Sequence, residues 1–354
     1  MRRPPSTERI PLASRAWMHQ PLRLTLDRNA LQSNWRWLAE RAGVPAGAAI
    51  KADGYGIGAR GAFEALLEAG CRDFFVSTWW EAEQLGPVPD GVSLVVLHGP
   101  GHDDRIGAAR PTLNSAEQVA RWKAIGGGSP CDVMIDTGMN RLGLRAEEAG
   151  VLDGLSIDTL HSHLACADED HALNELQLRR FREAAGAIAA KRYSLANSAG
   201  ICLGTDYSFD LVRPGLGVYG GLPRTEAQGH IAQVAHLEAQ IVQKRRVLAG
   251  ESCGYGATFT ADRDLDALVV NIGYADGFFR GFSNRGSARA GDKMLPLLGR
   301  VSMDLLIFDA DGADLGEGDW VEIDFDLPHA AALSEMSQYE LLTGLGRRFE
   351  RVWR

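Results

Sequence analysis

Lysine is scarce in this chain. Only Lys51, Lys123, Lys191, Lys244 and Lys293 are present, against a large excess of arginine, so a lysine in a distinctive setting invites a chemical reading. Lys51 has such a setting, in Ile50-Lys51-Ala52-Asp53-Gly54-Tyr55-Gly56-Ile57-Gly58, where a short apolar run gives way to a glycine-rich turn. An amine at the wet end of a buried strand is partly desolvated, which lowers its pKa from about 10.4 and makes it a nucleophile toward carbonyl groups. The same local sequence also suits a solvated loop lysine. Other single residues stay open in the same way. Arg213, in Val212-Arg213-Pro214-Gly215, reads equally as a surface arginine, and His163, in an apolar stretch, as a satisfied core histidine. Tyr255 and Tyr274 read as turn tyrosines, and Gly215 and Gly217 as turn glycines.

The elements that must position these residues fall into two patterns. From about residue 21 to 232, short apolar runs alternate with amphipathic, alanine-rich stretches, a rhythm of repeated strand-helix units. Ala48 to Ile50 is a short buried strand, and Lys51 sits at its C-terminal end. Further strands are expected at 74–76, 94–97, 133–135, 157–163, 193–196 and 211–218, with helices at 62–69, 80–85 and 173–190 and one opened by Ser115 and Gln118 at capping-box spacing. About eight such units fit a (β/α)8 TIM-like barrel, whose sites lie where strands end and loops begin. After residue 232 the segment 236–241 alternates with period two, and later segments at 267–272, 294–298, 305–308 and 320–323 are short and Gly-punctuated, with a last helix near 337–345. The expectation is therefore an α/β chain: a barrel over 17–232 and a mostly-β domain over 233–354, possibly joined by a strand from residues 1–16.

Composition narrows the classes. A chain of 354 residues corresponds to about two domains at roughly 150 residues each. The formal charge of -9 argues against a nucleic-acid binder that relies on counterion release. The five cysteines are odd in number and widely spaced, with no Cys-x-x-Cys, so neither a disulfide framework nor a zinc ribbon is implied and no metal is expected. The N-terminal stretch lacks an apolar h-region, which favours a cytoplasmic protein.

The turn IKADGYGIGA resembles the pyridoxal-phosphate (PLP) lysine segment of alanine racemases, a family with an N-terminal barrel and a C-terminal β domain. The resemblance continues in order through DTGMNRLG (136–143), HSHLACADE (161–169), LANSAG (195–200), VRPGLGVYG (212–220), GYGATFTA (254–261), GYADG (273–277) and GRVSMD (299–304), spanning both expected domains. It implies interconversion of L- and D-alanine, supplying D-alanine for cell-wall peptidoglycan or serving alanine catabolism, by two bases on opposite faces of the substrate. Those bases would be Lys51, which would also hold PLP covalently, and Tyr255, supplied by the second subunit of a homodimer. It further implies that Arg213 meets the pyridine nitrogen and that His163 connects to it. Tyr55, Ser198 and the backbone N–H groups of Gly215 and Leu216 would bind phosphate, Arg141 and the Met303 N–H would meet the substrate carboxylate, and Tyr274 would narrow the way in.

Two departures stand out. Many family members have a lysine two residues before the aspartate of DTGM, which becomes carbamylated and supports the arginine matched by Arg141. Here that residue is Met134. The chain also ends Arg351-Val352-Trp353 where a tyrosine is more usual. The competing readings are a non-catalytic PLP-binding barrel protein, which lacks a C-terminal β domain, a broader-specificity racemase or another barrel-type PLP enzyme, and a barrel that uses Lys51 without PLP.

Overall fold

A computed structural model describes residues 20–102, 104 and 107–354. Seven parallel strands, Ala48–Ala49, Asp73–Val76, Ser93–Val96, Arg110–Leu113, Cys131–Met134, Ile157–His161 and Arg192–Ser194, lie side by side in chain order. Segment 210–213 fills the gap between the last and the first. Asp210 and Arg213 donate to the carbonyls of Tyr193 and Ala196 on one side, while Val212 exchanges hydrogen bonds with Pro45 and Gly47 on the other. The curled sheet thus closes into the eight-staved barrel expected. Its strands are short and buried on both faces, as Cys131–Met134 shows throughout its length, because helices such as Ala59–Ala69 and Ala172–Ala187 cover them from outside.

Three local features differ from expectation. The strand expected over 211–218 is cut short, Val212 forming a bridge to Ala46 and Leu216–Tyr219 a short 3-10 helix. Strand Arg110–Leu113 was not foreseen, because its sequence RPTL opens with a charge and a proline and carries no apolar run. At the helix Ala116–Ile125, Ser115 Oγ accepts from Gln118 N at 3.3 Å as a cap should. The Gln118 side chain does not close the box, and instead bonds Asn114 N (2.8 Å) and His98 O (2.7 Å).

The second unit is built on Ala235–Val247, a 13-residue strand. It pairs antiparallel with Leu265–Val270, with Trp320–Ile323 and with Leu22–Leu26, and the last of these pairs in parallel with Glu350–Trp353. The strand Leu22–Leu26 therefore sits in the C-terminal sheet although it precedes the whole barrel in sequence. Its pattern explains the placement: Leu22, Leu24 and Leu26 are buried while Arg23 and Thr25 face outward, the period-two alternation of a half-covered sheet. The strand expected from residues 1–16 lies outside the described residues. Buried apolar side chains of the two units form one continuous core. Among the described residues no helix is long and apolar enough to cross a membrane.

Candidate active site

The C-terminal ends of the barrel strands surround a cavity of about 610 Å³. Most strand ends contribute, among them Lys51 after Ala48–Ala49, Met134 and Asp136 around the end of Cys131–Met134, Ser162 and His163 after Ile157–His161, Ser198 after Arg192–Ser194, and Arg213 from the closing segment. Convergence of several loops at this face is what a barrel permits, since every stave ends there.

Lys51 opens a tight turn, Lys51–Tyr55, in which Ala52, Asp53, Gly54 and Tyr55 all adopt left-handed backbone angles. Burial and the positive field of Arg141 push its amine below the ordinary lysine value, Arg213 adding less, while the Glu81 carboxylate works in the opposite direction. The same turn delivers Tyr55, whose ring stacks on Tyr219 at 4.5 Å with an interplanar angle of 17°. Tyr219 is itself fixed by donating to Ala49 O at 2.8 Å. Burial holds the Tyr55 phenol neutral far above the usual range, so its hydroxyl is a donor.

Beside that hydroxyl lies a group of neutral donors. Ser198 Oγ accepts from Gly215 N (2.9 Å) and Gly217 N (3.2 Å), which leaves its own O–H free to donate. The N–H of Leu216, at the start of the short helix Leu216–Tyr219, has no acceptor among the described residues, as expected for the first turn of a helix. Gly215 is dictated by closeness: a Cβ there would lie 2.1 Å from the Tyr55 hydroxyl oxygen. Tyr339 also lines the cavity, its ring 6.2 Å from that of Tyr55. Sequence reading missed it, because Ser337 and Glu340 cap the helix that carries it and no local feature sets its tyrosine apart.

Arg213 is only 7% exposed, and its guanidinium bonds the Ser194 hydroxyl and the Ser162 carbonyl but no carboxylate. Burial pushes its pKa down to about 10, with Asp132 opposing, so it remains a cation at neutral pH. Burial, then Arg213, Arg141 and Lys51, push His163 down to about 3, so it is a neutral imidazole there. Arg141 follows a turn capped by Asp136, whose Oδ1 accepts from the N–H groups of Gly138, Met139 and Asn140 at 2.9–3.1 Å. Met134 lies in the cavity wall and offers Arg141 no charge.

Three of the sequence candidates are absent from this cavity. Tyr255, on the turn Tyr255–Ala257, is 72% exposed, and Met303 is 53% exposed. Tyr274 is half-buried against Arg280, whose guanidinium lies 5.6 Å from the ring centroid. The Tyr274 and Met303 loops are stitched together by Tyr274 N donating to Ser302 O and Ala275 N to Met303 O. These residues belong to the β unit, while the cavity is lined from the barrel and from the helix carrying Tyr339.

Whether the cavity fits a PLP molecule can be judged from these contacts. An amine of depressed pKa, a cradle of neutral donors that one methyl group on Gly215 would fill, and a buried guanidinium stand in one space of adequate volume. The residues fit.

Comparison with known proteins agrees. The family model for the alanine racemase N-terminal domain matches residues 26–223, and that for the alanine racemase C-terminal domain matches 234–353. An alanine racemase of Rhizobium meliloti (strain 1021) is 42% identical, covering 94% of this chain and 96% of the relative. A catabolic alanine racemase of Agrobacterium fabrum is 41% identical over 93% of this chain and 91% of the relative. Among solved structures, the alanine racemase of Bartonella henselae with covalently bound pyridoxal phosphate superimposes with a TM-score of 0.86 at 34% identity, covering 94% of this chain and 99% of that one. With both domain models matched in order and relatives this similar along nearly their whole length, the chain belongs to the alanine racemase family.

Proposed function

We propose that this protein binds PLP through Lys51 and interconverts L- and D-alanine. The observation that carries the reading is the joining of a depressed-pKa lysine, a neutral donor cradle and a buried cation in one cavity. When bound, PLP supplies an electron sink for the charge left when an amino acid loses its α-proton. The protein supplies everything else. Tyr55, Ser198, Tyr339 and the N–H groups of Leu216 and Gly215, the last also bonded to Ser198, are the phosphate donors. Arg213 is assigned to the pyridine nitrogen. Because its guanidinium has no proton to give near neutral pH, it keeps that nitrogen unprotonated and limits the charge drawn into the ring, which favours simple proton exchange over side reactions. Arg141 takes the substrate carboxylate.

Inversion requires a proton removed from one face to be returned on the other, so two groups must stand on opposite sides of the substrate. Lys51 Nζ serves one face. The second, Tyr255 Oη, is exposed and outside the cavity of its own chain, so it serves the cavity of a second copy, as do the Met303 N–H and Tyr274. A symmetric pair in which each copy completes the other's site follows from this arrangement. The enzyme acts in the cytoplasm.

The test uses purified protein with added PLP in heavy water, with NMR following loss of the L-alanine α-proton while D-alanine is assayed on the same sample. Exchange with inversion is expected. Exchange with retention would remove Tyr255 from the mechanism, and bound PLP without exchange would remove alanine as the substrate.

A further inference from the structure

The turn that carries Lys51 is unfavourable on its own terms. Ala52, Asp53 and Tyr55 have φ of 53° each, in the left-handed region that residues with a Cβ avoid, and glycine occupies just one of the four positions. Such a run persists only where its surroundings over-determine it. Asp53 Oδ1 contributes by accepting from Ala59 N (2.9 Å), and Arg351 Nη2 by donating to Gly56 O (2.9 Å). Neither fixes the residue that follows Lys51. That contact comes from Glu81: its Oε1 accepts from Ala52 N at 2.8 Å, while its Oε2 accepts from Ser77 N (2.6 Å) and Thr78 N (3.2 Å).

We propose that Glu81 is a positioning residue for the Lys51 amine, its carboxylate bridging the left-handed turn to the end of the neighbouring strand Asp73–Val76. Helix capping explains only part of what Glu81 does. As the third residue of Trp79–Leu85 it completes a capping box with Thr78, and that accounts for the Oε2 contact to Thr78 N. It does not account for Ala52, which belongs to another strand-loop unit. All three donors are backbone N–H groups, so both carboxylate oxygens must accept. A glutamine would turn its NH2 toward at least one N–H, and an aspartate, one methylene shorter, would serve the helix end but not reach Ala52. The same carboxylate is the anion that counteracts the cations around Lys51.

This inference rests on Lys51 being the PLP lysine, so the experiment measures that first. Apoprotein is titrated with PLP, trapped by borohydride and quantified at the Lys51 peptide by mass spectrometry. The pH midpoint of Lys51 labelling by trinitrobenzenesulfonate is measured in parallel without PLP. Glu81→Gln is expected to weaken PLP binding on the order of tenfold or more and to shift the labelling midpoint to lower pH. Glu81→Asp should fold and weaken PLP binding while keeping the midpoint nearer that of wild type. Thr78→Ala, which removes the helix cap without touching Ala52, should lower the melting temperature and leave both readouts unchanged. Wild-type affinity and midpoint in Glu81→Gln, or equal changes in Glu81→Gln and Thr78→Ala, would reduce Glu81 to a helix cap. Failure of wild type to trap PLP at Lys51 would overturn the functional reading and this one with it.

Discussion

Replacing Gly215 by alanine tests the proposed phosphate cradle directly. The added Cβ would stand 2.1 Å from the Tyr55 hydroxyl oxygen and 2.8 Å from the ring carbon that bears it. Ordinary contact requires well over 3 Å, so one partner must move by roughly 1 Å. Tyr55 has little room to retreat: its ring is stacked on the buried Tyr219, and its main chain is fixed in the left-handed turn. Overpacking of this kind costs about 1–3 kcal/mol, and displacing a hydroxyl from a charged acceptor costs about 1.5–3 kcal/mol more in binding. The expected outcome is a melting temperature lower by a few degrees and a PLP Kd raised roughly 10- to 150-fold, measured by calorimetry and by titration of apoprotein. Tyr55→Phe removes the nearer clash, so Gly215→Ala should cost less in that background, with a coupling of about 1 kcal/mol or more. Wild-type affinity and melting in Gly215→Ala, or strict additivity with Tyr55→Phe, would show that the hydroxyl is not held against this glycine.

Three further outcomes follow from the site. Tyr255→Phe should slow proton transfer from one alanine enantiomer more than from the other while sedimenting as wild type does in ultracentrifugation; wild-type rates in both directions would remove it as a base. Since Met134 cannot carry a carbamate, activity should not depend on bicarbonate, and recovery of a decarbonated sample on adding carbon dioxide would contradict this. His163, held down to about 3 in the folded protein against an ordinary value near 6.5, stays neutral where the unfolded chain takes up a proton. Its contribution to stability is therefore complete above about pH 6.5 and falls as the pH drops toward 3. His163→Gln should flatten that part of the melting-temperature profile, and an unchanged acid limb would show that His163 is protonated in the folded state.

The residues that proved easiest to read were those whose neighbours are fixed by sterics. The Lys51 turn, Gly215 against Tyr55 and the Asp136 turn before Arg141 each stayed open as single residues and became legible through the segments that resemble alanine racemases; the structure shows close backbone geometry that few residue types satisfy at each. The barrel was legible from its alternating rhythm, yet Arg110–Leu113 was not, since Arg110 spends its charge on Asp132 and Asp158 and so hides a strand behind a polar residue. Leu22–Leu26 carried its own signal in its period-two pattern, but its partners lie more than 200 residues away and no local feature names them. Glu81 and Tyr339 stayed hidden for a related reason. Each sits at the start of a helix, where capping is explanation enough, and only the fold brings Glu81 to Ala52 and Tyr339 to Tyr55.

The charges around the cavity define what it is built to receive. Lys51, Arg141 and Arg213 converge there, His163 is kept neutral among them, and the lining carboxylate, Asp136, is already occupied by three backbone N–H groups. Asp132, the anion that offsets Arg213, is fully buried and already engaged by Arg110 and His161. The site is thus short of negative charge, and the uncompensated cations add to burial, the larger cause, in depressing the Lys51 amine. A ligand that brings a phosphate and a carboxylate supplies the missing anions, strengthens its own binding through the cations it neutralises, and lets the lysine pKa rise toward its ordinary value. A lysine that is to accept a proton from a substrate and release it again needs a pKa between these two limits. Occupancy of the cavity by anionic groups and readiness of Lys51 for proton transfer are then two aspects of one electrostatic balance, which the glutamate at the edge of its turn helps to set.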